Sequence, residues 1–167
     1  PVRRALASPT GAHPLGEQDL PGKRIVIVSD DNTRPTPVYR FFHLLLAELE
    51  RGGADLDKVL LLPALGIHTA MSEEEMAAKV GAENLARIRW RNHDAFDAAQ
   101  IHTFGKTSRG TPVELNSALA DADLIITLGL IEPHLWAGFG GGLKNILPGV
   151  ASAECIGRHH EIIAQPP

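Results

Sequence analysis

Residues Leu124–Gly149 read LIITLGLIEPHLWAGFGGGLKNILPG, an apolar run followed at once by a loop rich in glycine. The run Leu124–Leu128 predicts a fully apolar strand. Glycines allow positive φ angles and let a ligand approach the backbone closely. Those of the loop are Gly138, Gly140, Gly141 and Gly142. Because Lys144 at its end is well placed to meet a phosphate or act as a nucleophile, we expect the chemistry of the protein here.

Short apolar runs alternate with helical patterns in the rest of the chain. Lys23–Ser29 and Lys58–Leu62 predict two further buried strands, whereas the first twenty or so residues show no periodicity and predict an extended arm. The other predicted elements are helix Val38–Glu50 with Thr36 as N-cap, a helix capped by Ser72 and Glu75 that runs to about Val80, strand Arg87–Trp90, a hairpin of Ile101–Lys106 and Pro112–Leu115, helix Asn116–Ala122, and a last helix from Ser152 to about Ile163. The alternation predicts an α/β fold with a mainly parallel central sheet and flanking helices, a Rossmann-like three-layer arrangement.

Composition limits the class of protein. The 167 residues, 44% hydrophobic and 22% charged, predict one soluble globular domain over 1–167. A net charge of −4 argues against a nucleic-acid partner. There is no apolar run of the about 18 residues that a membrane span needs. The single cysteine, Cys155, excludes a disulfide framework within the chain and fits a cytoplasmic location, with burial on a helix as its expected role.

Polar side chains concentrate in loops that directly follow predicted strands, where α/β sheets bind ligands. Arg34 follows Asp31 and precedes a rigid Pro-x-Pro, a pattern suited to clamping a carboxylate or phosphate. The alternative is an Asp–Arg pair that only braces the turn. His68, between a strand end and a helix start, is a candidate general base, with a bond to neighbouring backbone as the alternative.

The glycine-rich loop matches neither common nucleotide motif. Leu143 and Asn145 replace the glycine and the Ser/Thr of a P-loop, and Leu143 also replaces the last glycine of a dinucleotide fingerprint. Further along, His159 and His160 offer imidazole, a good ligand for nickel, zinc or copper. Neighbouring residues on a helix point about 100° apart, so only one of the two faces a given site. A metal bound there needs most of its ligands from elsewhere.

Several motifs together resemble the lactate racemase family, in order from about Ser8 to His160. They are Asp31-x-Thr33-Arg34-Pro35-Thr36-Pro37, Gly66-x-His68, Asn92-His93-Asp94, Gly105-x-Thr107-Ser108-x-Gly110-Thr111-Pro112-Val113, and Pro133-His134 through Lys144 to Pro148-Gly149. The resemblance implies the N-terminal domain of a two-domain enzyme, with the C-terminal domain absent from this chain. It further implies that the isolated piece is inactive.

The same resemblance implies a cofactor. In that family a nickel-pincer nucleotide is attached through a thioamide to the lysine matched by Lys144, and separate biosynthetic enzymes of the host supply it. The resemblance places the nickel-ligating histidine at His160, sixteen residues on, with His159 as second choice. The loop glycines would wrap the cofactor and offer N–H groups to its phosphate. Thr33 and Thr36 are further cofactor-binding candidates.

The implied activity is racemisation or epimerisation of a 2-hydroxy acid such as lactate, by reversible hydride transfer to the cofactor. His68 and His134 would serve as acid and base on opposite faces, Arg34 would hold the carboxylate, and Asp31 would orient Arg34 or a histidine. Thr69 and Gly140 depart from the arginine and serine usual in the family. The alternatives are a hydroxy-acid hydratase or dehydrogenase on the same scaffold, and a non-catalytic module that binds an anionic ligand.

Overall fold

The computed structural model describes residues 1–164, whose strands and helices are listed here in chain order. The strands are β1 (Ile25–Asp30), β2 (Val59–Ala64), β3 (Arg89–Trp90), β4 (Ile101–Lys106), β5 (Pro112–Asn116), β6 (Leu124–Leu128), β7 (Pro133–His134) and β8 (Gly138–Phe139). The helices are α1 (Val2–Ala7), α2 (Phe42–Arg51), α3 (Glu73–Val80), α4 (Ala82–Leu85) and α5 (Ala153–Ala164).

A parallel sheet in the order β3-β2-β1-β6 forms the centre of residues 1–164. Ile25 of β1 lies opposite Val59 of β2 on one side and Leu124 of β6 on the other. From β1 the chain first adds β2 and β3 on one side of the sheet and later adds β6 on the other side, so the order of strand addition reverses between β1 and β6. In open α/β sheets such a reversal leaves a crevice at the carboxyl ends of the two strands, which is where ligands bind.

Alternate residues of β1 enter two separate hydrophobic cores. Ile25 and Ile27 pack with residues of α2, α3 and α4, whereas Val26 and Val28 pack with residues of β5 and α5. All four are nearly or fully buried. Helices thus cover one face of the sheet, and α5 with β5 covers the other. The predicted three-layer α/β fold with a mainly parallel sheet is confirmed.

Two local predictions are also confirmed. Ser72 and Glu75 form the predicted capping box at the start of α3: the Ser72 hydroxyl accepts from the Glu75 N–H at 3.2 Å, and the Glu75 carboxylate accepts from the Ser72 N–H at 2.8 Å. Cys155 is fully buried on α5, as expected for a small hydrophobic side chain. Within residues 1–164, no helix has the length and apolarity to cross a membrane.

Three local predictions were wrong. The first residues were expected to be extended, but Val2–Ala7 forms α1, a short helix without periodic hydrophobic spacing. Thr36 does not cap a helix, because its hydroxyl donates to Asp30, and α2 begins only at Phe42 after a turn of 3₁₀ helix. The helix predicted for Asn116–Ala122 is a single 3₁₀ turn, since the Asn116 amide is fully buried at the end of β5 and its oxygen accepts from the next turn.

One edge of the sheet is formed by β6 in the described part of the chain. Its five residues are apolar on both faces apart from Thr127, yet Ile125 remains 41% exposed. The hairpin of β4 and β5 lies on the face of the sheet that α5 also covers, and five of the six residues of β4 are exposed.

Candidate active site

The loops that follow β1, β2 and β6 meet at the crevice between β1 and β6. They line a cavity of about 210 Å³ to which α5 also contributes. The predicted site residues on its wall are Arg34, His68, His134, Lys144 and His160. A smaller adjoining cavity of about 30 Å³ adds Asp31 to Arg34, His68 and Lys144. Residues far apart in the sequence are therefore brought together.

Asp31 and His68 form a buried acid–histidine pair. The carboxylate is 2% exposed, and its Oδ2 lies 2.6 Å from His68 Nδ1. Its Oδ1 accepts from both the N–H and the hydroxyl of Thr33. Burial, the largest influence, raises the pKa of Asp31, but the hydrogen bonds from Thr33 and His68 outweigh it and lower the pKa below its usual value.

The ionisation of Asp31 determines which nitrogen of the His68 ring carries the proton. An ionised carboxylate can only accept hydrogen bonds, so Nδ1 of His68 carries the proton of their contact. In the neutral ring Nε2 then holds a lone pair. About half of the His68 side chain is exposed, and the residue lines the cavity. This is the arrangement of an oriented general base.

Thr33 and Thr36 direct their hydroxyls into the protein. Thr33 donates to Asp31 at 2.5 Å, and Thr36 donates to Asp30. Both hydroxyls therefore stabilise the loop after β1. Their assignment to cofactor binding stays a prediction.

Arg34 projects from the same loop toward the loop after β6. Its Nη1 lies 3.5 Å from Glu132 Oε1, and both side chains are just over one third exposed. An ion pair of that length and exposure contributes little to stability. The guanidinium remains accessible from both cavities for a bidentate contact with an anion.

His134 is held in a different way from His68. Its Nδ1 accepts from the backbone N–H groups of Trp136 and Ala137 at 3.3 and 3.2 Å. A ring that accepts at Nδ1 carries its proton on Nε2. Slight burial and the positive charges of Lys144 and Arg34 lower the pKa of His134, which favours the neutral ring. The neutral His134 thus offers a donor to the cavity.

Lys144 is half-buried at the junction of the cavities. Burial is the main cause that lowers the pKa of its ammonium, and Arg34 lowers it further against the opposing effect of nearby carboxylates. A lowered pKa increases the fraction of neutral amine, the form that acts as a nucleophile. The environment therefore suits a covalent attachment point.

His160 and His159 point to different sides of α5. His160 lines the cavity that also holds His68 and His134, and its ring meets that of Trp136 edge-on at 4.5 Å. His159 lines a separate groove beside the glycine-rich loop, and its Nδ1 is buried without a hydrogen-bond partner. Within residues 1–164, no three His, Cys, Asp or Glu side chains are placed to hold a metal ion.

The glycine-rich loop passes very close to the strand end that precedes it. A Cβ on Gly141, which has φ +66°, would lie 2.8 Å from the Leu130 carbonyl oxygen. A Cβ on Gly140 would lie 3.2 Å from the same oxygen, so any larger side chain would be tight here. The remaining two loop glycines, Gly138 and Gly142, have positive φ angles and open space beside them. The loop thus offers bare backbone on its open side.

Three buried polar residues that support the site were not predicted. Asp30 and Lys79 form an ion pair of 2.8 Å beneath the loop after β1. The amide of Asn145 donates to the Leu128 carbonyl at 2.7 Å, which fixes the residue after Lys144 against β6. The signal for Lys79 was its position three residues after Met76 on the core face of α3, where a lysine needs a buried partner.

Comparison with known proteins identifies the family. The family described as "Lactate racemase N-terminal domain" matches residues 1–167. The chain belongs to this family. It is 37% identical over 167 residues to a lactate racemase from Thermoanaerobacterium thermosaccharolyticum, covering 99% of this chain and 39% of that protein. It is 34% identical over 159 residues to a lactate racemase from Lactiplantibacillus plantarum, covering 95% and 37%.

Two solved structures match the fold of this chain. The structure of the lactate racemase apoprotein from Thermoanaerobacterium thermosaccharolyticum matches with a TM-score of 0.84 at 38% identity, covering 93% of this chain and 37% of that one. A crystal structure of a protein from Thermotoga maritima matches with a TM-score of 0.75 at 27% identity, covering 90% and 40%. This member of the lactate racemase family therefore spans about two fifths of the length of the proteins it matches.

Proposed function

We propose that this domain forms the cofactor-binding half of a racemase or epimerase that acts on a 2-hydroxy acid. One observation carries the proposal: His68 and His134, with opposite tautomers, line one cavity together with Lys144 and His160. A racemase needs an acid and a base that can both reach the substrate hydroxyl.

The residues present fit a lysine-tethered nickel-pincer nucleotide. Lys144 supplies an amine with a lowered pKa, and His160 supplies one imidazole ligand in the cavity. Within residues 1–164 no group of protein side chains forms a complete metal site, so the cofactor would supply the other ligands. Gly138 and Gly142 have open space beside them, so a phosphate could approach the backbone closely there. When bound, the cofactor supplies a reversible acceptor for the hydrogen and electron pair at C2 of the substrate.

His68 acts as the first base in this proposal. Its Nε2 lone pair takes the hydroxyl proton of the substrate, and the Asp31 carboxylate stabilises the imidazolium that results. Arg34 binds the substrate carboxylate and so keeps the hydroxyl within reach. The 2-keto acid that forms is planar at C2 and has no handedness.

His134 acts on the opposite face. As a neutral ring it donates an Nε2–H hydrogen bond to the substrate oxygen. To give that proton up to the oxygen as an acid, it must first gain a proton on Nδ1; to act as the base, it must carry its one proton on Nδ1 and none on Nε2. Either state breaks the two bonds from Trp136 and Ala137. Those bonds are long and exposed, so they stabilise the present tautomer only weakly.

The exposed surface around the cavity supports a proposal about the rest of the protein. Large apolar side chains of the loop after β6 are exposed, namely Ile131, Leu135, Trp136, Phe139 and Leu143. Apolar patches of this kind mark interaction sites. We propose that the C-terminal portion present in the longer relatives, supplied by the same protein, packs on this surface and closes the substrate site.

The mass of the intact natural full-length protein tests the proposal. The protein is produced with nickel and with enzymes that build the cofactor, which are shown to be active on a known lactate racemase in the same cells. We expect an added mass that maps to the peptide containing Lys144, and none in Lys144→Arg. The matched control, Lys106→Arg, changes an exposed lysine on β4 and should keep the added mass. Unmodified Lys144 in the wild type would contradict the proposal.

Turnover distinguishes this function from its alternatives. Wild-type protein that carries the modification should interconvert the two enantiomers of a 2-hydroxy acid without releasing a dehydrated or oxidised product. Net formation of an unsaturated acid or a keto acid would favour the hydratase or dehydrogenase instead. A module that only binds anions would keep its affinity in His68→Ala and His134→Ala.

A further inference from the structure

Lys79 is a buried cation that the proposed chemistry does not use. It lies on α3 and is 7% exposed. Its Nζ is 2.8 Å from Asp30 Oδ1 and donates to the carbonyl oxygens of Asp31 at 2.7 Å and Arg34 at 3.0 Å. Two of the three ammonium protons are therefore donated to the loop carbonyls, and the Asp30 carboxylate supplies the opposite charge.

The two carbonyls belong to the ends of one turn. The Arg34 N–H donates to the Asp31 carbonyl at 3.2 Å, and the Thr33 N–H donates to the Asp31 carboxylate at 3.1 Å. Lys79 therefore binds both ends of the turn that presents Asp31 to His68 and Arg34 to the cavity. A shift of the ammonium would move both side chains together.

The same ion pair reaches the loop after β6. Asp30 Oδ2 accepts from the Leu130 N–H at 3.3 Å and from the Thr36 hydroxyl. The carboxylate of Asp30 is thus bonded to three segments: α3, the end of its own loop, and the start of the loop that carries His134 and Lys144. It sets the spacing across the crevice.

Fold stability alone does not require a charged pair here. A buried ion pair is often no more stabilising than well-packed apolar side chains of similar volume. An apolar pair, however, has no donor for the two turn carbonyls. The lysine therefore contributes hydrogen bonds that hold the Asp31–Arg34 turn in one orientation.

We propose that Lys79 is a positioning residue of the active site, which fixes the Asp31–Arg34 turn so that Asp31 holds the Nδ1–H of His68 and Arg34 faces the substrate. Its catalytic consequence rests on the proposed function. Its structural consequence, the tautomer of His68, does not.

Imidazole ¹⁵N spectra of the natural full-length protein measure that tautomer without cofactor or turnover, with His68→Gln to assign the signal. The variants are Lys79→Met and Lys79→Met/Asp30→Asn, and the control is Lys58→Met, which changes an exposed lysine. We expect Nδ1–H in the wild type and control, and a mixture of tautomers in both Lys79 variants. The single variant should unfold at lower denaturant because Asp30 is left as an unpaired buried charge, and the double variant should regain most of this loss.

The double variant carries the test even if the single variant does not fold. Recovery of stability without recovery of the Nδ1–H tautomer supports positioning. Recovery of both would show that Lys79 only stabilises the fold and would overturn the proposal. In active enzyme we expect the double variant to lose roughly 10²-fold in kcat. A wild type with the Nδ1–H tautomer but no racemase activity would count against the proposed function and leave the inference on Lys79 standing.

Discussion

The loops after β1 and β6 border the same crevice but are built in opposite ways. In the first, Asp30 and Asp31 are 6% and 2% exposed; Asp30 pairs with Lys79 and accepts from Thr36, and Asp31 pairs with His68. In the second, Leu135 and Leu143 are 92% and 84% exposed, and His134 is held by two long backbone bonds. One side of the site is thus preorganised within this domain, whereas the other is open.

The largest expected effect is at the end of the open loop. Lys144→Arg keeps the positive charge but removes the amine that is the proposed attachment point. We expect no added mass and no detectable racemase activity, with unfolding free energy within about 0.5 kcal/mol of wild type because the side chain is only half-buried. Intact mass, turnover and denaturant unfolding measure these. Racemisation by Lys144→Arg would contradict the covalent attachment.

On the preorganised side, His68→Ala should lower kcat by roughly 10²–10⁴ in the cofactor-loaded full-length enzyme, because the oriented base is lost. His102→Ala is the control, since His102 lies on the exposed strand β4 away from the crevice. Cofactor mass should stay unchanged in both. A wild-type kcat in His68→Ala would show that another residue acts as the base.

The two loops should also differ in how far they stabilise the fold. Asp31→Ala leaves the Thr33 and His68 donors without their acceptor and should cost about 1–3 kcal/mol of unfolding free energy. Leu135→Ser in the open loop should change it by less than about 0.5 kcal/mol. Denaturant midpoints compare them directly. Equal losses at both positions would remove the contrast between a rigid and an open side.

The smallest effect is a pH dependence from His93, which lies behind the loop after β2. His93 is 3% exposed, donates from Nε2 to the Ala151 carbonyl at 2.9 Å, and accepts at Nδ1 from Asn116. Burial lowers the pKa of its ring below 6.5. Below that pH the unfolded chain binds a proton that the folded one does not, so stability falls as pH decreases.

Unfolding midpoints at about pH 8 and about pH 5.5 measure this dependence. His93→Gln should weaken it, whereas His13→Gln, at an exposed residue, should leave it as in the wild type. An unchanged slope in His93→Gln would assign the dependence to other groups.

The sequence predicted the fold, and which residues line the cavity, better than it predicted which of these side chains contact each other. Strands β1, β2 and β6 were predicted because each is a nearly continuous apolar run, and their order placed His68 and Lys144 at one edge. The pairing of Asp31 with His68 was one of two options, because adjacent loops do not reveal which side chains meet. The predicted N-cap role of Thr36 was wrong, since its hydroxyl donates to Asp30 at the end of the preceding strand instead of accepting at a helix N-terminus.

The spacing on α3 could have indicated that Lys79 is buried, but its partners could not be predicted, for a related reason. A lysine on a short helix is usually solvated, and only the three-dimensional approach of α3 to the loop after β1 supplies the carboxylate and two carbonyls that make its burial tolerable. Contacts of this kind depend on tertiary geometry rather than on local spacing.

The edge strand β6 has a practical consequence for work with this domain. Its sequence LIITL has no charge and no proline, and so lacks the features that usually keep one sheet edge from joining another. Preparations limited to these residues should therefore self-associate as their concentration rises, and their elution volume in size-exclusion chromatography should report it. A lysine in place of the exposed Ile125 is the first change to make for a monodisperse sample.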